Sequence, residues 1–129
     1  IPGGQGTRAL VNDIDYVKEL HEMAACSKYC LAICTGSALL AKTGLLDERR
    51  ATSNKRAFEW VQSINTNVEW IQTARWVVDG KFYTSSGVSA GMDMALGFVA
   101  DMVNMETAEE IACAIEYVWN SDKDNDRFV

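Results

Sequence analysis

Cys34 is the residue best placed to do chemistry. The apolar run Tyr29-Cys30-Leu31-Ala32-Ile33 leads straight into Cys34-Thr35-Gly36, and a helical pattern follows from Ser37 to Lys42. A strand, a sharp turn and a helix in that order form a nucleophile elbow, with the reactive side chain displayed at the carboxyl end of the strand. Free N–H groups and the positive end of the following helix would favour a thiolate there. The N–H of Thr35 would face a developing oxyanion, and the turn at Gly3 and Gly4 would supply a second donor. Gly36 gives room for the tight turn. The usual elbow carries glycine two residues before the nucleophile, and Ala32 here is small enough for the same bend. The competing reading is a buried, inert thiol, since cysteine is among the most buried residue types.

Other constellations carry less. Cys26, Cys30 and Cys34 are four apart, but the last two bracket an apolar strand, where four residues span about 13 Å. Zinc ligands lie about 2.3 Å from the ion, so no metal site is read and none of these thiols is assigned one. Cys26, Cys30 and Cys113 are expected as core or partly exposed thiols. His21, the only histidine, falls on the edge of a helix face and away from the elbow, which suits a structural role. The stretch Ser85-Ser86-Gly87-Val88-Ser89-Ala90-Gly91 opens a helix and offers Ser86 and Gly87 as pocket donors, although such a loop is also an ordinary cap. Trp60, Trp70, Trp76, Trp119, Met92, Met94 and Met102 are expected in the core.

The elements that must hold Cys34 can be read from periodicity. Helices are predicted over about 12–23, 37–42, 55–62, 88–102 and 106–119. Strands are predicted over 29–33, 68–71, 74–78 and 81–84. Asp79-Gly80 marks the hairpin between the last two strands. Residues 49–53 read as short and polar, and Asp122 to Asp126 as solvated chain. Strands alternating with helices predict one α/β domain over residues 1–129 with a mainly parallel sheet. No repeat or low-complexity linker interrupts it.

Composition limits the function classes. The 129 residues are 48% hydrophobic and 23% charged, and twelve basic against eighteen acidic side chains leave a net charge of −6. That balance opposes binding to nucleic-acid phosphates or to an anionic membrane. No apolar run reaches the roughly 18–20 residues of a bilayer span, and no signal segment opens the sequence. Four cysteines do not make a disulfide scaffold, so the cytoplasm is the expected compartment. The opening Ile1-Pro2-Gly3-Gly4 reads as the end of a strand followed by a turn. It suggests the larger part of something longer, whose opening segment is cleaved, disordered or carried by another chain.

Several blocks occur together and in order: Ile1-Pro2-Gly3-Gly4, Ala32-Ile33-Cys34-Thr35-Gly36-Ser37-Ala38-Leu39-Leu40-Ala41, Gly44-Leu45-Leu46, Arg49-Arg50-Ala51-Thr52, Arg75-Trp76-Val77 and Thr84 to Leu96. This set resembles the ThiJ/PfpI superfamily, and within it the subgroup of isonitrile hydratases and of amino-terminal domains of AraC-type regulators. The resemblance implies a flavodoxin-like three-layer sandwich, lacking its first strands in this chain. It also implies a nucleophilic or redox-sensitive Cys34, an oxyanion site at Gly4 and Thr35, a small-molecule substrate or ligand, a homodimer and no cofactor. The residue after the cysteine, here Thr35, is implicated in catalysis in the hydratases. Two departures stand out. The family's acidic residue beside the cysteine has no counterpart, which leaves a complementary amino-terminal segment or chain as an expected partner. Where many relatives carry histidine, this chain has Asn54, which cannot act as a base and reads instead as a polar pocket residue. The expected activity is a cysteine-dependent hydrolase or hydratase acting on a small carbon–nitrogen or carbonyl compound. The alternative is a non-catalytic redox-sensing or ligand-binding regulatory domain.

Overall fold

Alternating apolar residues in a four-residue strand decide how the sheet is sandwiched. The computed structural model describes residues 1–129, and strand β1 is Cys30–Ile33. Cys30 and Ala32 face one side, into a core with Ala24, Leu40, Ala41, Leu46 and Phe82. Leu31 and Ile33 face the other side, around Trp76, Tyr83 and Met94. Helices α2 (Ile14–Cys26) and α3 (Gly36–Lys42) cover the first face, and α5 (Val88–Met102) the second. Close approach of α5 requires Gly91, where an added Cβ would lie 2.6 Å from the Ile33 side chain.

The strand order is β1-β5-β4, with β4 at Trp76–Asp79 and β5 at Phe82–Ser85. β1 and β5 run parallel, with Ile33 opposite Ser85, whereas β4 and β5 form the antiparallel hairpin turned at Gly80, φ +59°. A separate parallel pair joins β2 (Arg50–Ala51) to β3 (Glu69–Trp70). The layered α/β arrangement is therefore as expected: two of the three strand pairs are parallel, and the third is the antiparallel hairpin marked by Asp79-Gly80.

Other differences are local. A short helix α1 (Thr7–Leu10) follows the glycine-rich turn and carries no apolar period to announce it. Residues 49–53 include β2, whose two residues are too few for a pattern. The predicted helix 55–62 is a 3₁₀ turn, Lys55–Ala57, followed by α4, Phe58–Ile64. Helix α6 (Met105–Ala114) stops well short of Trp119. Glu116 adopts a left-handed φ of +55°, and Tyr117, Trp119 and Asn120 leave the helix axis to bond Asp93. Among the predicted core residues Trp76 and Met94 are buried, Trp60, Trp70 and Trp119 half-buried, and Met92 and Met102 exposed. The charged tail is not simply solvated. The Lys123 carbonyl accepts from Arg75 N and Trp76 N, and Asp126 is buried. No helix is long and apolar enough to cross a membrane.

Candidate active site

The chain bends at Cys34 through a left-handed φ of +56°, a conformation that costs a non-glycine residue about 1–2 kcal/mol. Four hydrogen bonds hold it. Its N–H donates to Ser85 O at 3.1 Å, continuing the β1–β5 ladder. Its carbonyl accepts from Ser37 N at 3.3 Å, from Ser37 Oγ at 2.9 Å and from Ser53 Oγ at 2.9 Å. Ser53 is in turn fixed by its neighbour. Thr52 N donates to Thr84 Oγ1 at 2.9 Å, and Thr52 Oγ1 donates to Ile71 O at 2.8 Å. The elbow is thus held by the sheet, by α3 and by the loop after β2.

The opening segment lies on the bend. A Cβ on Gly36 would come within 2.5 Å of Ile1 O and 2.9 Å of Pro2 O, and one on Gly3 within 2.8 Å of Thr35 N. Only glycine admits this backbone-on-backbone contact. Ile1 also bridges the outer edge of β1, its amino group donating to Leu31 O at 2.7 Å and its carbonyl accepting from Ile33 N at 3.0 Å. Thr35 closes the arrangement. Its hydroxyl accepts from Gly4 N at 3.0 Å and from Thr7 Oγ1 at 3.1 Å. The Gly4 N–H is therefore engaged with Thr35 in this conformation, while the N–H groups of Thr35 and Gly36 make no hydrogen bond.

Cys34, half-buried, lines a cleft of about 440 Å³ with Gly4, Gln5, Arg8, Thr35, Asn54, Arg56 and Ala57. Arg8 lies over the Trp60 ring, 4.7 Å from its centroid, which helps fix that guanidinium at the rim. The lining holds two arginines and neither carboxylate nor histidine, so its field favours negatively charged substrates or intermediates. Asn54 caps the 3₁₀ turn by accepting from Arg56 N through Oδ1. Ser86 and Gly87 line an adjoining cavity of about 130 Å³, which shares Asn54 and Arg56 with the cleft.

Cys34, Thr35, Gly4 and Asn54 thus converge on one cleft. Gly3 supports it from beneath, and Ser86 with Gly87 lies behind Asn54. His21 sits elsewhere, its Nδ1 3.0 Å from Thr43 O on the surface. Cys26 and Cys113 are exposed and Cys30 is buried. Burial raises the Cys30 thiol pKa, an effect opposed by the amino terminus and Lys81. No three histidine, cysteine, aspartate or glutamate side chains converge where they could hold a metal ion. Sequence reasoning missed Arg8 and Arg56, exposed cations that leave no periodic trace. The Asn54-Lys55-Arg56 run after a turn was the available signal.

Residues 1–101 match the DJ-1/PfpI family. Isonitrile hydratase of Pseudomonas putida is 30% identical over 117 residues, which are 91% of this chain and 50% of that protein. The HTH-type transcriptional regulator CdhR of Pseudomonas aeruginosa is 34% identical over 78 residues, 60% of this chain and 23% of the regulator. Among solved structures, a THiJ/PfpI family protein from Pseudomonas syringae superposes with a TM-score of 0.77 at 31% identity, over 92% of this chain and 48% of that one. DJ-1beta of Drosophila melanogaster gives 0.73 at 23% identity, over 91% of this chain and 62% of its own. The α/β flavodoxin-like fold is common to them. This chain spans about half the length of the hydratase and less than a quarter of the regulator.

Proposed function

The chain belongs to the DJ-1/PfpI family, and from that premise we propose that it is a cysteine-dependent enzyme of the hydratase or hydrolase type, acting on a small carbon–nitrogen or carbonyl compound. One observation carries the reading: Cys34 stands at a left-handed bend on the wall of a cleft lined by two arginines. Strain of this kind persists only where the surroundings over-determine it, and it concentrates at functional sites. The name of the hydratase relative supports a carbon–nitrogen substrate.

In this reading Cys34 Sγ adds to the electrophilic carbon, and the displaced electron pair moves to the substrate nitrogen or oxygen. The unbonded N–H of Thr35 receives the developing charge, with Arg8 and Arg56 as the surrounding field. Asn54 Nδ2 orients the substrate. The Thr35 hydroxyl, already held by Gly4 and Thr7, positions the opening segment instead of carrying a proton. Water supplies the proton and later releases the product, since the cleft has no histidine or carboxylate. A second reading, a sensor in which Cys34 is oxidised or the cleft binds a ligand without turnover, is favoured by the regulator among the relatives.

The rate of Cys34 alkylation at neutral pH, with the site located by mass spectrometry and compared with exposed Cys26 and Cys113 of the same chain, tests the activation of the thiol. Faster modification of half-buried Cys34 than of the two exposed thiols is expected, and modification no faster than theirs counts against a nucleophile. Turnover of small isonitriles, nitriles, amides and aldehydes by the wild type and by Cys34→Ser separates the two readings. Turnover lost in Cys34→Ser is the enzyme result; turnover of none, with reversible oxidation at Cys34, is the sensor result.

A further inference from the structure

Behind Asn54, in the adjoining cavity of about 130 Å³, an anion seat is built and loosely filled. The Asp126 carboxylate, whose side chain is 0% exposed, lines the cavity and holds the place of an anion there. Oδ1 accepts from Phe128 N at 3.1 Å, and Oδ2 has no hydrogen-bond partner. Two cations face it. Lys55 Nζ lies 4.0 Å from Oδ2 and Arg75 Nη1 lies 4.0 Å from Oδ1, with side chains 5% and 9% exposed. Neither is at hydrogen-bonding distance. Lys55 Nζ donates instead to Thr52 Oγ1 at 2.8 Å and to Ala74 O at 2.6 Å, which leaves one N–H for an anion, and Arg75 Nη1 bonds nothing else, because Asp93 and Ser89 take Nε and Nη2. The 15-residue helix α5 opens onto the same cavity through Gly87 and Ser89, adding its positive end.

A carboxylate serving only to clasp the tail would be expected to sit against its partners, since an unmade bond to a buried charge costs about 1–3 kcal/mol or more. Here the seat is wider than its occupant. The segment that delivers it is exposed at residues 121–125 and 127–129. Its backbone is tied where Lys123 O accepts from Arg75 N and Trp76 N, and where Asp126 N donates to Thr73 O. Segments of this kind open locally at a small fraction of the global unfolding free energy.

We propose that Lys55, Arg75 and the start of α5 form a carboxylate-binding seat beside the Cys34 cleft, in which Asp126 is an internal occupant that a small carboxylate replaces when the tail lifts. Two oxygens on one carbon match two cations, one set 4.0 Å from each oxygen of Asp126, and the cavity suits a small carboxylate. Burial lowers the Lys55 pKa to about 8, opposed by Asp126, so an anion at this place favours the charged ammonium. The seat shares Asn54 and Arg56 with the cleft, which makes a carboxylate-bearing electrophile the substrate class. That last step rests on the Cys34 reading; the seat itself does not.

The tests therefore read binding, not turnover. The Lys123–Asp124 bond is a trypsin site held by Arg75 N and Trp76 N while the tail is seated. In the wild type, sodium acetate should accelerate cleavage after Lys123 several-fold and saturably over sodium chloride of equal ionic strength. In Asp126→Ala the seat is vacated, and acetate should raise Tm by about 5 °C at ten times its dissociation constant, with no such rise in the wild type. Acetate indistinguishable from chloride in both assays overturns the seat. Phosphate acting at lower concentration than acetate overturns the carboxylate assignment. Should Asp126→Ala not fold, the wild-type proteolysis decides alone. These outcomes leave the Cys34 alkylation result untouched, so either reading can fail without the other.

Discussion

Replacing Asp93 by asparagine tests how the carboxyl-terminal third is held on the sheet. Asp93 is fully buried on α5. Its Oδ2 accepts from Arg75 Nε at 2.6 Å and pairs with Nη2 at 2.5 Å. Its Oδ1 accepts from Tyr117 OH at 2.9 Å and from Asn120 N at 3.0 Å. An asparagine amide has one acceptor oxygen, so either orientation sets an NH₂ against a donor, and the Arg75 charge loses its counterion. Breaking one partner of a buried pair costs about 3–5 kcal/mol. For a domain of this size that is a fall in Tm of about 15 °C. Tyr117→Phe is the internal control: it removes only the hydroxyl, whose one proton is shared between Asp93 Oδ1 and Ser89 O, and should cost about 1 kcal/mol. Urea unfolding followed by tryptophan fluorescence reads both, since the Trp119 indole N–H donates to Asp93 O at 3.1 Å. If Asp93→Asn costs no more than Tyr117→Phe, the pair does not hold the structure, and Asp126, 4.0 Å from Arg75 Nη1, is the counterion that matters.

Gly36→Ala should lift Ile1–Gly4 off the elbow, because its Cβ would meet the Ile1 and Pro2 backbone at 2.5 and 2.9 Å. The loss of the two Ile1 bonds to β1 predicts a cost of about 1–3 kcal/mol and faster hydrogen exchange at Ile33 N–H; an unchanged exchange rate there would refute the contact. Stability against pH should carry the signature of Lys55. Its pKa is lowered by burial from 10.5 to about 8, so between those values the unfolded chain binds the extra proton and stability rises with pH. The urea-measured difference between wild type and Lys55→Met should then grow by about 3 kcal/mol from pH 8 to 10.5. Subtraction is needed because burial also raises the pKa of Cys30, and pushes Tyr83 up to about 12 with help from its bond to Asp101; both lower stability as pH rises. A flat difference would place Lys55 in a wetter setting than its 5% exposure implies.

What was legible in the sequence was local. The apolar run into Cys34-Thr35-Gly36 gives the strand, the bend and the helix, because each is decided within four or five residues. The Asp79-Gly80 hairpin and the long helix at 88–102 are legible for the same reason. Arg75, Asp93 and Asp126 were not, since Arg75 meets partners 18 and 51 positions away in sequence. The early end of α6 follows from that network, as Tyr117 and Asn120 are drawn to Asp93 at the expense of helix. Of the candidate site, Cys34, Thr35, Gly3 and Gly4 could be named from turn chemistry. The arginines could not, because a cation on an exposed turn looks the same whether it borders a cleft or open water. Exposed Met92 and Met102 show the opposite limit: a methionine at helical spacing does not report which side of a two-faced helix it occupies.

The four bonds that fix the bend at Cys34 all go to its main chain, and none involves the sulfur. The bend is therefore a property of position 34 and not of cysteine. A smaller or different side chain there would inherit the same geometry, and glycine would inherit it without strain. In the language of selection, reactivity and architecture are separately heritable at this site: the thiol can be lost, regained or exchanged in a single step while the framework around it stays standing. A scaffold arranged in this way can pass between catalyst, sensor and inert binder without having to learn to fold again.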